Sequence, residues 1–237
     1  MSELSLKHLS LGCEPIDRLL RGGLPAGEVT LLYGEAGTGK STIALLYAVA
    51  CARADRKALV IDADGSFSKE RLKQLLGSYA ENVTSRIGIF TPPTFFEQTI
   101  LIESLERYLS GNSGLIVIDT INRLYRVSLG NMQYSVSLNK ELNRQLAYLT
   151  RLCSLHSVAV LITSQVRSVI GAESPGEKVE PVATRTLRFW SDNILRLRTT
   201  PNTRERLIFA EKHRGRLTRE VFCRLRLVDR GIEPLTH

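Results

Sequence analysis

The chain has 237 residues with 32 Lys and Arg against 24 Asp and Glu and an apolar fraction of 43%, proportions of a folded chain that exclude disorder throughout. Its longest apolar run, Ile43–Ala52, falls far short of the ~20 residues of a membrane span, the N-terminus lacks a secretory pattern, and Cys13, Cys51, Cys153 and Cys223 are too dispersed for a zinc site or a disulfide framework, which points to a reducing cytoplasm and no membrane partner. The excess charge of +8 lies in residues 185–230, with 13 basic residues against 5 acidic, while the remainder is balanced at 19 each, so the chain is a neutral body with a basic final fifth suited to a polyanion.

Apolar β-branched runs alternate with helix-period segments along most of the chain. Val29–Tyr33 is a predicted strand, followed by a Gly-rich turn and a helix over Lys40–Arg53. Ala58–Asp62 is a second strand with an amphipathic helix after it over Lys69–Tyr79, and Ile87–Phe90 a third with a helix over Phe95–Leu109. Leu115–Asp119 is aliphatic to its last residue, as a strand buried on both faces should be. A polar loop over Ser128–Tyr134 leads to a helix over Val136–Leu155, a strand over Val158–Thr163 and a long loop over Arg167–Pro181. The end changes character: Ile194–Arg198, Arg206–Glu211 and Val221–Val228 are strands with little helix between them, the last with one wet face and an antiparallel pattern. The expected class is α/β, a mostly parallel twisted sheet flanked by helices and finished by antiparallel strands.

Gly34-Glu35-Ala36-Gly37-Thr38-Gly39-Lys40-Ser41, with Thr42 behind it, fits the phosphate-loop pattern G-x-x-x-x-G-K-[ST] between a strand and a helix. Glycines let the backbone close around phosphate oxygens, and loop N–H groups with the helix N-terminus supply positive potential. Lys40 should reach the β- and γ-phosphates of ATP, and Ser41 should ligate Mg2+. Asp119, at the end of its aliphatic strand, is the matching acid, placed to hold a magnesium-bound water.

Four segments narrow the class. Gly12–Leu24 ahead of the loop, Ile61–Leu72 with Asp62-Ala63-Asp64-Gly65, Asp119–Arg126 and Thr163-Ser164-Gln165-Val166 resemble, in order and spacing, the segments of RecA-superfamily recombinases. Phe90–Gln98, Pro181–Leu197 and Glu211-Lys212-His213-Arg214 resemble those of the archaeal RadB group, short paralogues of the RadA recombinase without its helical N-terminal domain. The resemblance implies a RecA-like P-loop core, organised as a lead-in over residues 1–28 and one ATPase domain over 29–237, and a DNA-binding protein of homologous recombination and repair that assists a RadA-type recombinase or another repair protein. The Phe-x-x-Ala tether usual in recombinase filaments has no equivalent in residues 1–28, which contain no Phe, and this argues against long autonomous filaments while leaving a homo-oligomer open.

Residue roles follow from the same resemblance. The family orients its attacking water with a Glu where this chain has Asp64, a shorter acid, so slow ATP hydrolysis is expected; the alternative for Asp64 is a helix cap. Gln165 matches the residue that senses the γ-phosphate, with a satisfied buried amide as its alternative. Arg71 matches a position that packs on adenine, a role its planar guanidinium suits. Lys212 and Arg214 match residues that reach a neighbouring subunit's ATP in assemblies. Arg167, Arg185, Arg188, Arg216 and Arg219 are the candidates for phosphates of single-stranded DNA, bound without sequence preference and in a salt-sensitive way, whereas Arg224 and Arg226 are read as a solvated strand face. Two other readings stay open: a KaiC-like regulatory ATPase with no DNA role, and a recombination mediator that binds ATP without hydrolysing it.

Overall fold

A computed structural model describes residues 7–76, 83–129, 135–168, 179–181 and 183–235, without the side chains of residues 69, 135, 167, 168, 179–181, 184, 219 and 220. The sheet is built on β3 (Val29–Gly34), β4 (Lys57–Asp62), β5 (Ile87–Phe90), β6 (Ser113–Asp119), β7 (Ala159–Ser168) and β9 (Asn193–Thr199), parallel to one another in the order β5-β4-β6-β7-β3-β9. Beyond β9, the strands β10 (Glu205–His213), β11 (Arg216–Val228) and β12 (Gly231–Pro234) continue antiparallel to the other edge. A two-stranded ribbon, β1 (His8–Leu9) with β2 (Leu24–Pro25), enters before it.

Burial on both faces of the central strands gives them their aliphatic composition. Along β6, Leu115 and Val117 join one core cluster and Ile116 and Ile118 the other, and all seven residues of the strand are buried. The first cluster lies under α1 (Glu14–Leu19), α2 (Lys40–Arg53) and α3 (Lys69–Leu76); the second lies under α4 (Phe95–Ser104), α5 (Arg123–Ser128), α6 (Ser135–His156) and α7 (Thr184–Trp190). Helix α2 is apolar nearly all round because the sheet and α3 cover it from several sides.

Several sequence boundaries shift. The α-helix after β5 ends at Ser104 and tightens into a 3-10 turn over Leu105–Arg107, and the helix after β4 is described to Leu76, the remainder of its expected span lying outside the described residues. The expected loop over Arg167–Pro181 is shorter than the sequence suggests, because β7 runs on to Ser168 and pairs antiparallel with β8 (Val179–Pro181); residues 169–178 lie outside the described residues, as do 130–134 of the other expected loop. Strand β9 is parallel to β3 and the antiparallel portion begins with β10. Strand β11 starts five residues before its expected beginning, because Arg214 and Gly215, at φ of 47° and 77°, close a two-residue hairpin. Helix α1, begun by Pro15 in its first turn, was not expected.

Parallel strands place their carboxyl ends on one edge of the sheet, and α/β proteins bind ligands outside that edge. Here the edge receives Gly34 from β3, Asp62 from β4, Asp119 from β6 and Gln165 near the end of β7. Leu161→Ala, which empties a buried position of β7 at the centre of the sheet, is expected to destabilise the chain by about 2–5 kcal/mol, measured as a lowered midpoint in urea unfolding.

Candidate functional site

The turn out of β3 is fixed by a close approach. Gly34 lies level with Gln165 on one side and Leu197 on the other, and a Cβ on it would stand 2.6 Å from the Leu197 carbonyl oxygen. Past it, Gly37 and Gly39 take φ of 73° and 99°, conformations that favour glycine, and turn the chain into α2. Glu35, Ala36 and Gly37 are exposed at the rim, Thr38 is buried, and Ser41 and Thr42 are half-buried in the first turn of α2.

Lys40 is only 7% exposed. Its Nζ donates to Glu35 O at 2.7 Å and approaches Thr38 Oγ1 at 3.5 Å, which uses two of three donors. Burial lowers its pKa, and the nearby carboxylates of Asp119, Asp64 and Glu35 act the other way. Asp119 is fully buried and raised, chiefly by desolvation. Thr163 Oγ1 donates to its Oδ1 and Ser66 Oγ to its Oδ2 at 3.1 Å, and the nearby Ser41 hydroxyl also favours its ionised form. A lysine and an aspartate from different strand ends therefore face one small polar space, each held by hydroxyls or carbonyls.

Asp62 holds the segment beside it, accepting Ser66 N–H at 3.0 Å and Phe67 N–H at 2.9 Å. Within that segment Asp64 Oδ2 accepts Thr120 Oγ1 at 2.5 Å. Its Oδ1 lies 3.3 Å from Arg123 Nε, yet no donor among the described residues is aligned to bond it. Arg123 is itself anchored through Nη1 to Ala63 O at 2.6 Å. The clamp on Asp64 by Thr120 and Arg123 was not foreseen; Asp64 does not cap the helix that follows, where the Arg71 N–H is accepted by Ser68 Oγ. Gln165 turns its Oε1 to Arg126 Nη1 at 2.7 Å, and its backbone is bonded by Asn122.

The remaining candidates are distributed unevenly. Arg71 donates to Gln74 Oε1 at 3.1 Å and, at 2.8 Å, to Asp229 O in the turn after β11. Lys212 points inward: its Nζ bonds Arg188 O at 3.1 Å and Ser191 O at 2.5 Å, the carbonyls at the end of α7 where a cation is favoured. Arg214, at the hairpin tip, is half-exposed and pairs with Glu28 at 3.1 Å. Arg188 is tied to Glu211 at 3.0 Å, and Glu211 also accepts the Tyr33 hydroxyl at 2.6 Å, so a free phosphate contact shared with Arg185 is not what this helix presents; Arg185 and Arg216 are exposed. Arg167 and Arg219 lie in β7 and β11, and their side chains are outside the description.

One residue was missed entirely. Arg206, expected only as strand, is 7% exposed and donates to Thr38 O at 3.1 Å, Gly37 O at 3.0 Å, Thr203 O at 2.7 Å and Glu205 O at 2.7 Å. Nothing in a strand pattern signals it, since an Arg at an inward position reads as a wet-face residue until its acceptors are known.

The donor set fits a magnesium nucleotide. Glycines leave the loop open where side chains would fill it, Lys40 retains an unused donor, and a raised, buried Asp119 beside the Ser41 hydroxyl is a hard-oxygen pair that a cation would hold ionised. Among the described residues no group of three or more His, Cys, Asp or Glu could hold a metal alone, so a cation here would depend on phosphate oxygens for the rest of its shell.

Comparison with known proteins agrees with this geometry. The Rad51 family model matches residues 3–233. A "DNA repair and recombination protein RadB" of Thermococcus kodakarensis is 35% identical over 230 residues, covering 96% of this chain and 99% of the relative; that of Methanococcoides burtonii is 35% identical over 210 residues, 89% and 91%. A crystal structure titled as the RadB recombinase is 33% identical with a TM-score of 0.80, covering 96% of this chain and all of that one.

Burial of the Asp119 charge has a pH consequence. Its folded pKa lies above its unfolded one, so its contribution to stability without nucleotide is most favourable below the unfolded value and is lost as pH rises towards the folded one. Asp119→Asn is therefore expected to melt a few degrees higher than the parent at pH 7 without nucleotide, since of the Thr163 and Ser66 hydroxyls the one that faces the amide nitrogen can turn to accept from it. The gap should shrink as pH is lowered through the carboxylate range, and Mg2+ should no longer strengthen nucleotide binding; thermal melts across pH, with and without Mg2+ and ADP, measure both.

Proposed function

This chain belongs to the Rad51 family and, within it, to the RadB group, and we propose that it is an ATP-binding, DNA-binding protein of homologous recombination and repair that hydrolyses ATP slowly. The observation that carries the reading is the buried Lys40 ammonium on the phosphate loop, set in the field of Asp119 and Asp64 from two neighbouring strand ends. Lys40 would bind β- and γ-phosphate oxygens, the loop amides would surround them, and Ser41 with Asp119 would hold Mg2+. Magnesium, when bound, neutralises charge that develops on the phosphates. Arg71, beside the turn after β11, would flank the adenine, and Gln165 would lie level with the loop's first glycine on the phosphate side.

Asp64 would orient the attacking water through its uncommitted Oδ1, while Thr120 and Arg123 hold the carboxylate back. The same clamp favours a second reading, in which ATP is a conformational ligand for a mediator and is hardly hydrolysed. Lengthening the acid separates the two. Asp64→Glu is expected to raise single-turnover hydrolysis by about tenfold or more and Asp64→Ala to lower it; equal rates in all three chains would leave only the ligand reading.

On the DNA side, Arg185 and Arg216 would contact backbone phosphates, joined by Arg167 and Arg219, whereas Arg188 serves Glu211 and is withdrawn from that set. Arg214, at its exposed tip, would be the residue offered to a second subunit, and Lys212 would support it from inside. Single-stranded DNA, a RadA-type recombinase and a second copy of the chain are the proposed partners, with the cytoplasm as the place of action; no helix among the described residues is long and apolar enough to cross a membrane.

The test is a titration of single-stranded DNA across salt, with and without ATP. Binding should weaken steeply with salt, Arg185→Ala should reduce the slope of log K against log salt by about 0.7, and Arg188→Ala should leave the slope unchanged while lowering the melting temperature. Lys40→Ala should abolish any effect of ATP on the titration. No binding at low salt would overturn the DNA role and leave a regulatory ATPase.

A further inference from the structure

The guanidinium of Arg206 is a buried cation with an unusual set of partners. All its bonds run to backbone carbonyls, two in the phosphate loop at Gly37 and Thr38, one at Thr203 in the turn between β9 and β10 and one at Glu205, which opens β10. None of the ion pairs among the described residues includes it. A charge at this depth is costly unless an opposite charge compensates it, and carbonyl dipoles alone are modest compensation.

The two loop carbonyls show where that opposite charge would sit. A trans peptide directs its C=O and N–H to opposite sides. The peptide that presents Gly37 O to Arg206 carries the N–H of Thr38 on its other side, and the one that presents Thr38 O carries the N–H of Gly39. The Thr38 N–H has only a long contact, 3.4 Å to Glu35 O, so it is poorly used within the protein. A cation on the carbonyl side polarises each peptide and makes its N–H a stronger donor, since bonded dipoles in series reinforce one another. Lys40 therefore stands on the phosphate side of the loop and Arg206 on the far side, with two peptide planes between the guanidinium and the space for the anion.

We propose that Arg206 is a positioning residue of the nucleotide site, which fixes the Gly37 and Thr38 peptides with their N–H groups towards the phosphates and adds a buried positive charge that the bound di- or triphosphate compensates. The proposal rests on the reading of the loop as a nucleotide site and deepens it by assigning a residue outside the loop to phosphate recognition. It also ties the β9–β10 turn to nucleotide binding, because Thr203 and Glu205 share the same guanidinium.

The experiment compares the full chain with Arg206→Met, which keeps bulk and removes charge, and Arg206→Lys, which keeps charge and loses the fork. Mg2+-ADP affinity is measured by titration calorimetry, and melting temperature is measured with and without the nucleotide. Arg206→Met is expected to melt without nucleotide at or above the temperature of the parent, to lose about 10- to 100-fold in Mg2+-ADP affinity, and to show a smaller nucleotide-induced rise in melting temperature. Arg206→Lys should fall between the two. An Arg206→Met chain that folds and binds Mg2+-ADP like the parent overturns the proposal, and so does one whose affinity falls only in step with a lowered melting temperature, which would mark a plain structural brace. Should Arg206→Met fail to fold, Arg206→Lys alone decides: several-fold weaker binding is expected, and parental affinity overturns the role. A parent chain that bound no Mg2+-ADP would instead overturn the nucleotide reading of the whole site, and this role with it.

Discussion

A buried ammonium short of one partner is the constraint on which this architecture turns. Lys40 reaches the base of the loop because it opens the helix that follows the loop out of β3, and Asp119 and Asp64, with Glu35, favour its charge against the burial that lowers its pKa. Each neighbour has its own difficulty: Asp119 is raised by burial despite its hydroxyl donors, and Asp64 keeps an oxygen that nothing described bonds. These are polar groups left incompletely satisfied in a chain whose sheet is otherwise packed on both faces. Such incompleteness at the carboxyl edge of a parallel sheet is what a phosphate with a divalent cation would relieve, since it brings negative charge to the lysine and positive charge to the aspartate at once.

The same logic re-sorts the basic end of the chain. Counted along the sequence, residues 185–230 look like a surface for a polyanion. In the fold, part of that charge is engaged by groups of the protein itself. Arg206 lies under the phosphate loop, Lys212 closes the end of α7, Arg188 and Arg196 gather around Glu211, and Arg214 meets Glu28. Burial and the charges of Arg21 and Arg214 push the pKa of His213 down, so this histidine sits among the cations as a neutral ring. Only the exposed remainder, with Arg185 and Arg216 among it, is available to an external polyanion. Net charge by segment is thus a poor measure of binding capacity when the segment also supplies the antiparallel half of a sheet.

What the sequence disclosed divides along the range of the interactions involved. The phosphate loop, Asp119 and the alternation of strand and helix are local patterns: glycines at fixed offsets, an acid ending an aliphatic run, apolar periods of two and 3.6. Of these the alternation of strand and helix is seen in the fold, with β3, α2 and β5 within a residue of their expected limits. The Thr120 and Arg123 clamp on Asp64, the inward turn of Lys212 and the seat of Arg206 depend on which carbonyl or carboxylate lies across the fold, at separations of 56, 21 and 168 residues. No period or spacing encodes such pairings. Arg188 shows the limit most clearly: its place on the helix was legible and its ion pair with Glu211 was not. The continuation of β7 into a pairing with β8 was hidden for a related reason, because the Ser- and Gly-rich stretch that follows reads as loop from its first polar residue.

Strand β10 gives these distant contacts a common carrier. At its start Arg206 grips the phosphate loop, near its end Glu211 holds the Tyr33 hydroxyl one residue before Gly34, and Lys212 binds the carbonyls of α7. Tyr33 directly precedes Gly34 at the end of β3, and α7 is the helix reached after the long connection from β7. One strand therefore touches the nucleotide loop from below, the strand that launches it, and the helix whose exposed face carries Arg185. One guanidinium thus joins the loop carbonyls of Gly37 and Thr38 to those of Thr203 and Glu205. Along the same strand, Glu211 and Lys212 make the contacts to Tyr33 and to the end of α7. In this fold the basic segment therefore supplies internal ties as well as exposed charge: Arg206 backs the phosphate loop, and Lys212 and Arg188 brace the end of α7 against β10.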